Sequence, residues 1–164
     1  GRVRIIGDEV RFLCDAMLGS LAKWLRAAGY DAYYAREGTD TSDRHLAEKA
    51  LSEGRVLLSS DADFLERKPV REGRLRFVRI PQNLPVEEQL ALVVRSFSLE
   101  RRAPRCMECG GDLTEVPAET VAGRIPSGVR REQRRFYTCR VCGRVFWYGS
   151  HWRRIGGRLE RVFG

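Results

Sequence analysis

Short apolar strand patterns alternate with amphipathic helix patterns throughout the first hundred residues of this 164-residue chain. The strand-like runs occupy residues 11–15, 31–35, 55–59 and 75–80. Apolar residues at helical spacing separate most of these runs and also follow the last one. This alternation is typical of a parallel sheet covered by helices on both faces. We therefore predict an α/β domain over residues 11–100.

The alternation stops around residues 100–105, where the sequence reads ERRAPR. The segment that follows is rich in arginine and glycine and has no long apolar run, so a metal must replace much of the missing core. We predict a small, β-rich zinc-ribbon module with a basic aromatic C-terminal segment over residues 101–164. Residues 1–10 are expected to be a leader, either the end of a preceding domain or a tag remnant.

The basic residues are distributed unevenly between these two parts. Residues 1–100 contain 16 Lys and Arg against 16 Asp and Glu, whereas residues 101–164 contain 14 against 6 and so carry the whole net charge of +8. Arginine supplies 27 of the 30 basic residues, and its planar fork matches phosphate oxygens. A GC-rich genome would explain the abundance of arginine but not its segregation, which indicates a polyanionic partner for the C-terminal part.

Two C-x-x-C pairs lie in the C-terminal part, formed by Cys106, Cys109, Cys139 and Cys142. A disulfide scaffold is the alternative, but no signal-peptide pattern precedes the first strand and Cys14 would be left over as a core thiol. Four thiolates around one structural Zn²⁺ fit better. The interval between the pairs, including SGVRREQRR, is expected to form a long β-hairpin. No apolar run approaches the roughly 18 residues that span a bilayer, so we expect a cytoplasmic protein without a membrane partner.

Aspartates stand where strand patterns end or the next helix begins. Asp15 follows the first strand, Asp43 opens the helix before the third, and Asp61 and Asp63 follow the third. Each alone is typical of a turn or a helix cap. If Asp15, Asp43 and Asp61 converge within about 5 Å, each pair repels by roughly 3 kcal/mol at an effective dielectric near 20. Either shared protons or a divalent cation must then offset the repulsion.

Such a site favours Mg²⁺ or Mn²⁺, because hard cations prefer oxygen ligands. One or two such ions would lower the pKa of a water and stabilise a leaving oxygen, so the pattern predicts metal-assisted phosphodiester hydrolysis. Aspartyl phosphatases and phosphoacceptor receiver domains fit less well. They would need adjacent acids after the first strand, where this chain has DAMLG.

The stretches RFLCDAMLGSLAKWLRAAGYDA and TSDRHLAEKALSEGRVLLSSDADF resemble the PIN-like ribonucleases. More narrowly, residues 11–149 are similar to the family named after the C-terminal RNase domain of the Mut-seven exonucleases, in which a PIN-like domain precedes a zinc ribbon. The resemblance implies RNA cleavage with metal bound by Asp15, Asp43 and Asp61, with Asp63 as a ligand, a supporting group or a cap. Many PIN nucleases have a further acid in a longer helical segment that this chain lacks; Glu37 or Asp40 could substitute, which leaves the number of metals open.

Basic and aromatic residues are candidates for holding the substrate. Lys23 and Arg26 share a helix face and match basic positions of the family, although a solvated face is the alternative. Arginines can hold phosphates while aromatic rings stack on unpaired bases. The C-terminal candidates are Arg130, Arg131, Arg134, Arg135, Tyr148, His151, Trp152 and Arg153. Phe146 and Trp147 are expected either to join them or to form the ribbon's core, and His45 lies on a helix surface or lines the site.

Together these patterns predict a Mg²⁺- or Mn²⁺-dependent ribonuclease, an endonuclease, whose zinc ribbon binds single-stranded or structured RNA such as transfer or ribosomal RNA. Three alternatives stay open. The chain could be a structure-specific DNA nuclease, a catalytically silent RNA-binding or ribosome-associated module, or a toxin of the PIN type.

Overall fold

A computed structural model of the protein describes residues 10–36 and 40–164. The first hundred residues contain a four-stranded sheet in the order β2-β1-β3-β4, in which every neighbouring pair is parallel. Its strands are β1 (Phe12–Cys14), β2 (Ala32–Tyr34), β3 (Val56–Ser59) and β4 (Phe77–Arg79). The predicted parallel α/β sheet is thereby confirmed. Residues 1–9 of the predicted leader lie outside the described residues.

Four helices and one 3₁₀ turn connect and cover these strands. They are α1 (Gly19–Ala27), α2 (Asp43–Glu53), the 3₁₀ turn Ala62–Glu66, α3 (Lys68–Arg71) and α4 (Val86–Phe97). Helix α2 has a polar N-cap, because the Ser42 hydroxyl accepts from the backbone N–H of His45, and it ends at Gly54 in the left-handed conformation.

The sheet has an apolar layer on each face. In β3, Val56 and Leu58 point into a core shared with α1 and α4, whereas Leu57 points into a second core shared with α2. Strand side chains alternate between faces, so a strand buried on both sides reads as a continuous apolar run. This explains why the strand Val56–Ser59 carries no polar residue before its last position.

The cysteine-bearing segment forms a separate antiparallel sheet in the order β5-β6-β7. Its strands are β5 (Leu113–Val116), β6 (Phe136–Cys139) and β7 (Val145–Phe146). Between β5 and β6 lie α5 (Ala118–Val121), a 3₁₀ turn (Ala122–Arg124) and α6 (Ser127–Glu132).

The expected long hairpin is therefore wrong for most of this interval, although β5 and β6 do pair. Pro117 and Pro126 occupy the N-cap positions of the two short helices. Proline cannot donate to a strand ladder, and its fixed φ suits the start of a helix. Val121 and Ile125 then become buried against Phe136, so SGVRRE is helical rather than extended.

The last helix, α7 (Ser150–Phe163), packs on the first part of the chain. Its Ile155 and Leu159 belong to the same core as α1 and α4. Arg158 donates to a carboxylate oxygen of Glu87 at 2.9 Å, and its guanidinium lies 4.6 Å from the ring centre of Trp24. The division at residue 101 stays a prediction, and this helix is one of the parts of the second module that contact the first. No helix within the described ranges combines the length and apolarity needed to cross a bilayer.

Candidate active site and metal centre

The sheet topology brings Asp15 and Asp61 to one edge. Strands β1 and β3 are parallel neighbours with Cys14 opposite Leu58, and the backbone N–H of Asp15 donates to Leu58 at 3.1 Å. The carboxyl ends of parallel strands open on one edge, where ligand sites of such sheets lie. Asp15 is buried, with 9% of its surface exposed, and Asp61 is half-buried.

The hydroxyl of Ser59 connects these two strand ends. It donates to Oδ2 of Asp15 and accepts from the backbone N–H of Asp61 at 3.0 Å. The second oxygen of Asp15, Oδ1, accepts from the backbone N–H of Met17 at 3.0 Å. Ser59 was not among the predicted site residues. The signal that could have found it is a hydroxyl at the last position of an otherwise apolar strand, two residues before Asp61.

Asp43 reaches the same edge from the first turn of α2. Partial burial, a hydrogen bond to Asp61 and the negative charge of Asp61 together raise the pKa of the Asp43 carboxyl. The two side chains are therefore close enough to share a proton. Asp61 also caps the 3₁₀ turn, since its Oδ1 accepts from the backbone N–H of Asp63 at 2.8 Å. Asp63 itself is exposed, and its charge contributes to the raised pKa of Asp43.

The group of three or more potential metal ligands that lies together among the described residues is that of the four C-terminal cysteines, whose ligand atoms are all within 4.8 Å of one another. That Asp15, Asp43 and Asp61 hold one ion together stays a prediction. Asp40 accepts from the backbone N–H of Ser42 at 3.0 Å and lies 3.8 Å from Nδ1 of His45, on the exposed surface of α2. Glu37 lies outside the described residues.

The cysteines form a compact cluster with the geometry of a zinc site. The Sγ atoms of Cys106 and Cys142 are 3.8 Å apart, and those of Cys109 and Cys139 are 3.4 Å apart. Four sulfurs placed tetrahedrally 2.3 Å from one Zn²⁺ are about 3.8 Å from each other. All four cysteines are free thiols. The cluster can therefore hold a metal such as zinc with all four positions filled, which suits a structural ion.

The backbone around Cys139 favours its thiolate, whereas burial raises the pKa of Cys106 to about 12 and also raises the pKa of Cys109. Backbone N–H groups of Val141 and Cys142 donate to Sγ of Cys139, each at 3.4 Å. Burial opposes ionisation of Cys139, but these donors and the neighbouring thiols lower its pKa to about 6. Cys14, by contrast, is fully buried in the core, and burial raises its pKa to about 12. It is a core residue, as expected.

Arg26 ties the cysteine cluster to the parallel sheet. Its Nε donates to the carbonyl of Ala32 at 2.9 Å and its Nη1 to the carbonyl of Met107 at 3.0 Å. The side chain is buried, and burial lowers the pKa of its guanidinium. Gly110 has a φ of 83°, and a Cβ there would lie 3.2 Å from Nε of Arg26. Arg26 thus connects the two parts of the chain from the inside, and its predicted role in substrate binding stays a prediction, whereas Lys23 is exposed.

The C-terminal arginines differ in how they are engaged. Arg135 makes a two-pronged ion pair with Glu115 at 2.7 and 3.1 Å, and Arg130 donates to the carbonyl of Ala118 at 3.1 Å. Arg135 is exposed despite this pairing, and the exposed side chains of Arg131, Arg134 and Arg153 make no hydrogen bond or ion pair with another described residue. They form the more accessible part of the predicted phosphate-binding set.

The aromatic residues form a row and a core. Tyr148 packs between Tyr137 and Trp152, with ring centres 5.0 and 5.4 Å away. Trp147 instead packs edge-on against Phe136 in the small core of the antiparallel sheet. The expectation that Trp147 belongs to the ribbon's own core is thereby confirmed. His151 is exposed at the start of α7.

Two clefts lie where the C-terminal sheet meets α1. The first, here called the aromatic cleft, has a volume of about 590 Å³, and its wall includes Trp24, Phe146, Trp147, Tyr148, His151 and Trp152. The second, the basic cleft, has a volume of about 700 Å³ and is lined by Lys23, Tyr34, Arg36, Cys109, Cys142 and Arg144. Arg36 and Arg144 were not predicted as site residues, because their neighbours lie far away in the sequence.

The fold and its two sites define a class of protein in which a parallel α/β sheet with carboxylates at one edge is joined to a four-cysteine metal-binding module. The chain belongs to the Mut7-C RNAse domain family, whose sequence model matches residues 10–159. It is therefore a member of a nuclease family, a class of hydrolases that act on nucleic acids. The family resemblance predicted from the two sequence stretches is confirmed.

A human protein described as an exonuclease mut-7 homolog is 25% identical over 222 residues. The match covers 88% of this chain, but the chain spans only 25% of that relative. A comparison with solved structures finds no match.

Proposed function

We propose that the protein is a Mg²⁺- or Mn²⁺-dependent endoribonuclease with a PIN-like catalytic domain. The observation that carries the proposal is the contact between the carboxyl groups of Asp43 and Asp61, beside Asp15, which Ser59 links to Asp61. Carboxylates this close are stable only with a shared proton or a cation between them. Substituting a divalent ion for the proton would convert the pair into a phosphodiester-cleaving site.

The donor set fits a hard divalent cation. Asp15, Asp43 and Asp61 offer only oxygen atoms, and this chemistry selects Mg²⁺ or Mn²⁺ over zinc. The four-cysteine cluster, as a zinc site, would leave no open position for catalysis. When bound, the cation would polarise the scissile phosphate and lower the pKa of a water.

The chain's own residues would perform the remaining tasks. Ser59 holds Asp15 and Asp61 in register, and the Met17 backbone fixes the second oxygen of Asp15. Asp63 is an exposed acid beside the pair and can contact a metal or its water from outside. Lys23 and the exposed C-terminal arginines would hold the RNA backbone, because long flexible cations pair well with phosphate.

The test is cleavage of RNA by the purified protein, with and without a chelator of divalent ions. We expect Mn²⁺-dependent cleavage that falls at least a hundredfold in Asp15→Asn and in Asp61→Asn. Glu66→Gln, an exposed acid in the same 3₁₀ turn, is the matched control and should cleave like the wild type. Unchanged cleavage by both folded aspartate variants would contradict the proposal, and faster cleavage of a matched DNA would point to a DNA nuclease.

A second candidate is an RNA-binding module without catalytic activity. It is favoured by the basic C-terminal part, where residues 101–164 carry the whole net charge of +8. Such a module would keep a salt-dependent affinity for RNA. It would bind RNA equally well with and without Mn²⁺, and it would leave the RNA intact.

A further inference from the structure

The aromatic cleft and the basic cleft adjoin each other. Ser20, Lys23 and Glu108 line both of them. One side of each is formed by α1 of the first module, and the other by the cysteine-bearing sheet. The two clefts therefore make a single groove along the junction of the modules.

The basic cleft has the charge needed for a phosphate chain. Lys23, Arg26, Arg36 and Arg144 line it, against the single carboxylate of Glu108. Arg36 donates to the backbone carbonyl of Glu108 at 3.3 Å, whereas the exposed side chains of Lys23 and Arg144 form no hydrogen bond or ion pair with another described residue. Two cations held at the rim of a concave surface are available to an anionic ligand.

The aromatic cleft has the chemistry needed for bases. Tyr148 and Trp152 stack nearly parallel, with an interplanar angle of 29°, and both are half-exposed. Because Tyr148 has a ring on each side, the flat face available to an unpaired base of any identity is that of Trp152, at the end of this row. A base pair inside a duplex does not offer these faces, because its neighbours cover them.

The basic end of the groove starts next to the acidic edge. Tyr34 lines the basic cleft, and its hydroxyl donates to the carbonyl of Ala16, the residue after Asp15. Gly19 opens α1 at the same point, where a Cβ would lie 3.0 Å from the ring of Tyr34. A strand lying in the groove would thus be directed towards the carboxylates.

The geometry points to this groove as the binding site for an unpaired RNA strand, with phosphates in the basic cleft and bases in the aromatic cleft. The inference rests on the proposed ribonuclease function for its choice of ligand, and it specifies the substrate as a single-stranded segment. It also assigns phosphate contacts to Lys23 and Arg144 and base contacts to Trp152.

The first test measures RNA affinity without cleavage. The Asp61→Asn protein, loaded with zinc and free of Mn²⁺, is titrated into a fluorescent, unstructured 12-nucleotide RNA. We expect Lys23→Ala with Arg144→Ala to raise Kd about tenfold and to flatten the slope of log K against log salt by about 1.4, since each single-strand phosphate contact contributes about 0.7. Lys68→Ala with Arg95→Ala removes the same charges outside both clefts and should leave Kd within twofold.

The rival explanation is that these cations only balance the thiolates of the metal cluster. In that case the Lys23 and Arg144 variant would release zinc more readily to a chromophoric chelator and bind RNA like the control. Equal RNA affinities of the two double variants would overturn the inference. Tighter binding of a blunt duplex than of the single strand would overturn it as well.

The second test measures how much the bases contribute to RNA affinity, separately from the phosphates. Replacing four adjacent bases of the same RNA by abasic sites preserves every phosphate, and we expect it to weaken binding to the Asp61→Asn protein at least fivefold. In a protein that also carries Trp152→Ala, the abasic substitution should cost less, because the stacking surface has gone. An abasic RNA that binds as tightly as the intact RNA would overturn the base contacts even if the tryptophan variant folds poorly.

These binding results are independent of the cleavage assay. If the groove variants lose affinity while the aspartate variants still cleave RNA, the groove is the RNA-binding site but the proposed catalytic site is wrong. If the aspartate variants lose cleavage while the groove variants bind RNA normally, the catalytic proposal is supported and the groove is not the RNA-binding site.

Discussion

At the acidic edge of the sheet, individual hydrogen bonds hold the side chains in place, and no sequence pattern reveals these bonds. The hydroxyl of Ser59 serves as donor to Asp15 and as acceptor for the backbone of Asp61. It is fully buried, so water cannot replace either bond. A buried polar group that loses its partner costs far more than an exposed one.

We expect Ser59→Ala to lower the rate of Mn²⁺-dependent RNA cleavage by about 10–100-fold, the usual cost of losing a group that orients a metal ligand. The Mn²⁺ concentration for half-maximal rate should rise in parallel, while the free energy of unfolding falls by about 1–3 kcal/mol. Ser60→Ala, in the next position, is the control. A variant that unfolds more easily but cleaves with unchanged Mn²⁺ dependence would show that Ser59 only stabilises the fold.

For individual residues, the sequence predicted which residue types form the candidate sites better than it predicted what each side chain contacts. Aspartates after strands and cysteines in C-x-x-C pairs are visible because chemistry and spacing reveal them together. The contacts of Arg26 could not be predicted, because one helix face can meet solvent or another module, and only the folded chain shows that Met107 lies beside it. Arg144 was missed for the same reason.

Among the elements, α1 connects the two sheets. Arg26 near its C-terminal end donates both to β2 and to the first cysteine pair's turn. We expect Arg26→Met to lower the free energy of unfolding by about 2 kcal/mol, because two carbonyls lose a charged donor. Zinc should also dissociate faster. Chemical denaturation and zinc release to a chelator measure both effects, with exposed Lys23→Ala as a control within about 0.5 kcal/mol. A zinc release rate unchanged from wild type would contradict this role of Arg26.

The C-terminal end of α2 is held by an ion cluster that depends on pH. Glu53 accepts from Lys49 and from Arg55, each at 2.7 Å, and the hydrogen bonds to these two cations lower its pKa below the usual 4.5. A carboxylate with a lowered folded-state pKa stabilises the fold above its unfolded-state pKa and loses this contribution as the pH falls through the folded value.

We therefore expect Glu53→Gln to be less stable than wild type by about 1 kcal/mol at pH 7, with the difference shrinking below pH 4.5. Urea unfolding across this pH range measures it. Glu48→Gln breaks a more exposed pair with Arg44 and should show a smaller loss. A difference that stays constant down to pH 3 would contradict the assignment.

The parallel strands could be predicted because each is a short apolar run between clear helix patterns. The segment between β5 and β6 could not, because its prolines and small apolar residues fit either loops or helices. In the folded chain Val121 and Ile125 are buried against Phe136, and this packing favours the short helices. Tertiary packing commonly overrides weak local preference in short segments.

At the scale of the whole molecule, the last helix, α7, packs against the first module. Leu159 is fully buried in the core that also contains Phe12 of β1 and Leu90 of α4. In the sequence, the four cysteines lie between α4 and this helix, so both ends of the metal module are attached to the first module. Stability of the metal module and of the parallel sheet should therefore be coupled.

We expect calorimetry to show one unfolding transition, with the calorimetric enthalpy equal to the van't Hoff enthalpy. Removing zinc should lower the temperature of that transition for the whole chain, since a ligand that binds only the native state stabilises it. The chelator should have no such effect on a Cys139→Ser, Cys142→Ser protein. Two independent transitions, with only the smaller one sensitive to zinc, would indicate modules that fold separately.

The central claim is that the carboxyl edge of the parallel sheet binds a catalytic divalent cation. The most direct measurement is an anomalous difference map from a crystal of the zinc-loaded protein soaked in Mn²⁺, recorded at the manganese edge. The account predicts a manganese peak within coordination distance of Asp61 and of at least one of Asp15 and Asp43, and no such peak in Asp61→Asn. A fully soaked wild-type crystal without manganese at these carboxylates would contradict it.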